Sequence, residues 1–327
     1  MDTRRMSIRR ALTGALLLSF VAVGSAFAAE SRETFTRSIP AGSITQFDLE
    51  TGSGDVTIIG SRAATTIEIK AVKIAHALTK SGADERLAEI EIEVKTEGSA
   101  VIVRDRTPRM SWSFGGYSVD YSVTAPVRVA CRVRVGSGDV KVESVREVRA
   151  ESGSGNLQAR AIEAVRLKAG SGDILADSAG IAEIGTGSGN IRVMEVRSVR
   201  VRTGSGDVTV NRAGEVSASA GSGDITVHEA EGSVHAETGS GDISVSLRGA
   251  AQPVFAKAGS GDIEILIPPG YGGALDARSS SGSIRAEGVT ITLGEHSRNA
   301  LRGTIGAGGP VMRLSTSSGD ITIRVQR

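Results

Sequence analysis

The residue that most invites a chemical reading is an acidic or amide side chain returning at one place in a repeated motif. Gly-Ser-Gly-Asp or Gly-Ser-Gly-Asn begins at Gly136, Gly153, Gly170, Gly187, Gly204 and Gly221, always 17 residues apart. It returns at Gly239 and Gly259 as the spacing widens to 18 and then 20. The fourth position is Asp139, Asn156, Asp173, Asn190, Asp207, Asp224, Asp242 and Asp262. Stacked units would align these side chains about 4.8 Å apart, the spacing of hydrogen-bonded strands. Three chemistries compete for such a ladder. Calcium-binding β-rolls use a nine-residue Gly-Gly-x-Gly-x-Asp repeat with a turn at each half-coil. Here Asp follows Gly directly, once per unit, and the asparagines dilute the charge that a tight calcium site needs. Glycan cleavage needs one pair of carboxylates roughly 5–9 Å apart in a cleft, whereas repeated identical rungs single out no pair. The remaining chemistry is structural, because short polar side chains accept hydrogen bonds from amides that a corner leaves unpaired. The expectation is eight corner caps, with no catalytic residue, metal or cofactor.

Other reactive residues are scattered. His228 and His235 share one unit with Glu229, Glu231 and Glu237. A transition-metal site wants three or four convergent ligands, and these histidines flank the unit's second corner, so solvated side chains are expected. Cys131, the one cysteine, lies in an alternating run from Val127 to Val135. It has no partner for an intrachain disulfide and reads as a buried, inert thiol. The most unusual composition is the stretch from Arg104 to Tyr121. Aromatic residues are 3% of the chain, yet Trp112, Phe114, Tyr117 and Tyr121 crowd here beside Arg104, Arg106 and Arg109. Trp, Tyr and Arg dominate interface hot spots, which makes Arg106, Arg109, Trp112, Phe114 and Tyr117 candidate partner contacts. The competing expectation is that they fold back and plug the end of the molecule.

The elements that position these residues follow from the repeat. Counting the first Gly as position one, positions 5 and 7 are apolar (Val140 and Val142, Ile191 and Val193, Ile225 and Val227) around a mostly polar position 6. Positions 13 and 15 resume the alternation, as in Val165 and Leu167 or Val199 and Val201. Period-two alternation is the signature of strands. Each unit is therefore two short strands with one corner at Gly-Ser-Gly-Asp and a second near positions 8–12. One coil cannot bury its own inner face, but in-register neighbours can. The expected fold is all-β, a parallel β-solenoid with two short strands per 17-residue coil over residues 136–327. A repetitive antiparallel sandwich is the alternative. Residues 29–135 lack the period and read as an irregular β cap, with one short helix around Ala83, Leu87 and Ile90 and an outlying motif copy at Gly52. A lengthened, Gly-rich coil is expected over 284–316. The chain then runs through Ile321, Ile323 and Val325, and self-association through that C-terminal edge strand is expected.

Compartment and charge narrow the function. Arg4, Arg5, Arg9 and Arg10 precede an apolar run from Ala11 to Val23, and Ala26-Phe27-Ala28 supplies a small-x-small cleavage site. Residues 1–28 read as a signal peptide, shorter than the roughly 20 apolar residues of a membrane span. Residues around Arg9-Arg10 fit twin-arginine export poorly. No other segment is apolar enough to span a bilayer, so the exported chain is expected in the periplasm, on the cell surface or outside the cell. The whole chain has 38 basic and 37 acidic residues. Loss of 1–28 removes four arginines and one aspartate, leaving a net charge near −2, which excludes a nucleic-acid footprint.

Gly-Ser-Gly-Asp-Ile/Val turns at regular spacing behind a signal peptide resemble the bacterial β-strand-repeat domains known as "putative adhesin". The closing stretch Gly303-Thr-Ile-Gly-Ala-Gly-Gly309 followed by Arg313-Leu-Ser-Thr-Ser-Ser-Gly-Asp-Ile-Thr-Ile323 is similar too. The resemblance spans residues 43–327 and implies a non-catalytic envelope protein with no family catalytic residues to carry over. The expected partner is an envelope component: a glycan, peptidoglycan or a protein. A polysaccharide-active β-helix enzyme and a calcium-stabilised secreted β-roll are the alternatives.

Overall fold

The computed structural model describes residues 29–106 and 116–326. The segment 1–28 lies outside the described residues. The fold is all-β: among the described residues the strands join one hydrogen-bonded network of 25 strands, beside a single helix, Lys80–Glu89. That helix starts where the Thr79 hydroxyl accepts the Gly82 amide at 3.1 Å, which satisfies one orphan donor of its first turn. It buries Ala83 and Leu87, with Ile90 buried just beyond.

Each central unit runs up one face, turns at Gly-Ser-Gly-Asp, and runs down the other. We call these the approach face and the departure face. Approach strands such as Ala130–Ser137 and Glu147–Ser154 pair in parallel, Val133 beside Ala150 and Ser137 beside Ser154. Departure strands do the same one unit later, Val140 beside Leu157. The 17-residue offset persists through Leu157–Ser171, Ile174–Ser188, Ile191–Ser205 and Val208–Ser222. Parallel register puts identical positions over one another, so the apolar positions form continuous internal columns. Leu167, Ile184 and Val201 are buried on the approach side, and Leu157, Ile174, Ile191 and Val208 on the departure side. Each such side chain contributes about 1.5–3 kcal/mol on burial.

At both ends, order in space departs from order in sequence. The outlying copy at Gly52 is not outlying in space. Strands Gln46–Ser53 and Val56–Ser61 stack directly under Ala130–Ser137 and Val140–Glu143, with Ser53 beside Ser137. On their other side lie Ala100–Arg106 and Tyr117–Pro126, again parallel. Antiparallel strands then extend each face. Glu91–Glu97 extends the approach face, and Thr66–Ala77 followed by Ala29–Pro40 extends the departure face. Glu91, Glu93, Lys95 and Glu97 place alternate charges on one of these outer strands, a common guard against edge pairing.

The C-terminal end mirrors this. Val311–Ser318 pairs with Val254–Ser260 on one side and Gly273–Ser279 on the other. Ile321–Val325 is likewise held between Ile263–Ile267 and Ile284–Glu287. The expected C-terminal edge strand is therefore corrected: the last strand has both backbone edges paired and none to offer a second chain. The chain lays down coil 273–287 one level too far, then returns to fill the gap. Residues between these segments form a hairpin of Ile291–His296 and Ala300–Ile305, which covers Gly273–Ser279 in antiparallel fashion.

Candidate functional site

The most regular feature is the Gly-Ser-Gly-Asp corner. The amide of each fourth-position residue donates to Oδ1 of its counterpart one coil earlier. Asn156 donates to Asp139 at 2.8 Å, Asp173 to Asn156 at 2.9 Å, Asn190 to Asp173 at 2.8 Å and Asp207 to Asn190 at 3.0 Å. Asp224, Asp242 and Asp262 continue the series at 2.8–3.0 Å. The displaced end coils join it. Asp139 donates to Asp55 at 2.9 Å and Asp55 to Asp120 at 3.0 Å. At the other end Asp320 donates to Asp262 at 2.7 Å and Ser283 to Asp320 at 2.8 Å. The Ser283 amide, the largest cause, holds the Asp320 carboxyl below its ordinary range, helped by the Ser283 hydroxyl and Arg285. Asparagine makes the same bond at the same length as aspartate, so the corner uses an acceptor oxygen and not a charge.

The two glycines of the motif serve different needs. The third residue has positive φ, as at Gly206 with φ 130°, and a Cβ there would lie 2.1 Å from the Gly189 carbonyl oxygen. The first residue has no such φ. A Cβ on Gly204 would nonetheless meet the Gly187 oxygen at 2.5 Å, so close stacking alone demands glycine. Just before the motif sits a residue that the repeat pattern did not single out. Buried hydroxyls of Ser152, Thr186, Thr203, Thr238 and Thr316 donate to the third-glycine carbonyl of the neighbouring coil at 2.9–3.3 Å. Its sequence signal is a Ser or Thr immediately before the motif in these coils, where others carry Val135, Ala169, Ala220 or Ala258.

Only the two ends of the aromatic and arginine-rich segment are described, at the N-terminal end of the stack. Ala100–Arg106 and Tyr117–Pro126 flank it, where other coils turn at Gly-Ser-Gly-Asp. Arg109, Trp112 and Phe114 lie outside the described residues. Arg106 is exposed and pairs with Glu93 at 3.1 Å. Tyr117 is half-buried and packs against the core. Asp105 Oδ1 and the Tyr121 hydroxyl are buried with no hydrogen-bond partner among the described residues. Burial pushes both groups up from their ordinary pKa, Asp105 partly offset by hydrogen bonds from Thr51 and Gly52.

The histidines separate. His228 lies exposed on the departure face, while His235 lies on the approach face, stacked on Phe255 with ring centroids 4.6 Å apart. Among the described residues no group of three or more His, Cys, Asp or Glu is placed to hold a metal ion. Cys131 is buried and its thiol is pushed up to about 12 by burial.

The sequence model of the Toastrack DUF4097 family matches residues 4–228 and 183–324. The chain belongs to this family. Several solved structures are similar to this Toastrack chain at low identity. One is a "putative cell adhesion protein" from Clostridium sporogenes, 12% identical over 92% of this chain and 100% of that one, with a TM-score of 0.23. A "putative adhesin" from Bacteroides fragilis is 15% identical over 90% and 98%, with a TM-score of 0.38. A "putative lipid binding protein" from Parabacteroides distasonis is 14% identical over 90% and 97%, with a TM-score of 0.43. The chain has no match among curated proteins. Among the described residues no helix is long and apolar enough to cross a membrane.

Proposed function

We propose that this Toastrack protein is exported and non-catalytic, and that it binds a component of the cell envelope or surface in the manner of an adhesin. In this reading residues 1–28 direct export, 29–135 cap the molecule, and 136–327 form a parallel β-solenoid with a lengthened coil at 284–316. Asp139 through Asp262 act as corner caps that keep the coils in register. The partner is a glycan, peptidoglycan or a protein, met through Arg106, Arg109, Trp112, Phe114 and Tyr117.

One observation supports the reading above others. Where the other coils turn in a few residues, the outermost N-terminal coil spends 107–116 between its two strands, and that expansion holds the only tryptophan. Aromatic rings give a large contact area at low entropic cost. The repeated carboxylates are committed through Oδ1 to backbone amides, which suits scaffolding better than acid–base chemistry.

The test uses a Trp112→Ala, Phe114→Ala variant and isolated envelope material, with peptidoglycan and polysaccharide fractions assayed separately. Lost retention with an unchanged melting temperature supports a binding segment. Unchanged retention overturns it, as does a native Trp112 spectrum that is blue-shifted and resistant to acrylamide. Calcium should leave the melting temperature unchanged, since ligand at 100 times its dissociation constant would add about 2.7 kcal/mol.

A further inference from the structure

The outward positions of the approach face form rows running along the stack, and two adjacent rows differ in kind. One alternates in sign: Glu50, Arg134, Glu151 and Lys168 lie side by side in register. The next places three arginines on successive strands, Arg132 beside Arg149 beside Arg166, before Glu183 follows. Like charges directly opposed across strands are destabilising, and here they stand one strand spacing apart, about 4.8 Å.

The arginines are only partly compensated. Arg149 turns sideways to Glu151 at 2.9 Å, Arg166 reaches forward to Glu183 at 2.6 Å, and Arg132 stands 4.0 Å from Asp48. All three remain substantially exposed. Arg146, at the edge of the same face, makes no ion pair among the described residues. Together these four guanidinium groups line an open groove of about 450 Å³. Its floor is low because Ala130 and Ala164 occupy outward positions. Ile181, 57% exposed, stands at its far side.

We propose that this groove binds an anionic polysaccharide whose extended chain carries carboxylates and hydroxyls and runs along the stack, across the strands. The arginine row matches carboxylates at regular intervals, and guanidinium binds carboxylate with two parallel hydrogen bonds. Glu147 and Glu183, the two carboxylates lining the groove, accept sugar hydroxyls and disfavour a denser polyanion such as polyphosphate or nucleic acid. Ile181 offers an apolar contact to the C–H face of a sugar ring. A bound carboxylate also removes the Arg–Arg repulsion, so ligand stabilises the fold at the row that strains it. This surface is separate from the aromatic segment and stands whether or not that segment binds.

The test is affinity electrophoresis of the exported chain through gels holding polygalacturonate, neutral dextran or inorganic polyphosphate. Retardation by polygalacturonate is expected, falling as salt rises, with none by dextran and less by polyphosphate at equal charge density. Arg149→Ala, Arg166→Ala should weaken retardation about tenfold or more without lowering the melting temperature. Arg149→Gln, Arg166→Gln supplies the same reading if the alanine variant does not fold. Trp112→Ala should leave this retardation intact, which separates the groove from the aromatic segment. Absence of wild-type retardation, equal retardation of the arginine variants, or tighter binding of polyphosphate would overturn the proposal.

Discussion

The two corners of each coil solve the same geometric problem by different means. At Gly-Ser-Gly-Asp the backbone of one coil touches that of the next, glycine to glycine, and a side-chain oxygen ties each amide to the coil before it. At the opposite corner the chain merely crosses over. Ser144, Ala161 and Ser178 adopt left-handed φ of 53–57° there, whereas Glu195 and Arg212, at the same position of the next two coils, do not. When the spacing relaxes from 17 to 18 and 20, Ser222, Ser240 and Ser260 stay in register. The extra residues fall at the opposite corner, around Gly232 and Gly249. The difference teaches that register is set at one corner and length is absorbed at the other.

Substitution at the tight corner should break this contrast most severely. Gly206→Val combines an unfavourable φ with a Cβ 2.1 Å from a carbonyl oxygen, and should cost about 4 kcal/mol or more in urea unfolding. Thr209→Val, on the departure face, should change stability by less than about 0.5 kcal/mol. Equal losses would refute the assigned corner. Next comes the tie itself. Asp207→Ala leaves the Asp224 amide without its 3.0 Å acceptor and should cost about 1–2 kcal/mol, whereas Asp207→Asn should be nearly neutral because Asn156 and Asn190 already do the same work. A large loss with asparagine would mean that charge matters after all.

The loose corner should respond in the opposite sense. Ala161→Gly relieves a left-handed alanine at φ 53° and should stabilise by about 1 kcal/mol. The interior between the corners gives the smallest effect at neutral pH. With the Cys131 thiol pushed up to about 12, iodoacetamide should not modify it until the protein unfolds. Its stability contribution runs the same way: above about pH 8.5 the unfolded thiol ionises and the folded one does not, so stability falls as pH rises.

Much of this was legible because a 17-residue period and a two-residue alternation leave few choices. The buried columns of Val140, Leu157 and Ile174 follow from the pattern alone, as does the helix through Ala83 and Leu87. The ends were not legible, for a physical reason. A motif states that Gly52 or Ser317 belongs to a coil, but every coil offers the same edges, so local sequence does not name its neighbour. The pairing of Gln46–Ser53 with a strand 84 residues later, and the return of Val311–Ser318 between Val254–Ser260 and Gly273–Ser279, join strands that the motif alone does not match. The arginine row escaped notice for the same reason, since Arg132, Arg149 and Arg166 become neighbours only once the coils are stacked.

The interleaved C-terminal coil is the sharpest consequence of the stacking, and a disulfide tests it directly. Ser260 and Ser318 are register partners, so their Cα atoms stand about 4.8 Å apart, inside the range a disulfide requires. Simple sequential stacking would instead set Ser260 beside Ser281, which here lies two strand spacings away, about 10 Å. A Ser260→Cys, Ser318→Cys variant should therefore close an intramolecular disulfide rapidly under mild oxidation, and Ser260→Cys, Ser281→Cys should not. Rapid closure of the second pair and failure of the first would contradict the interleaved end.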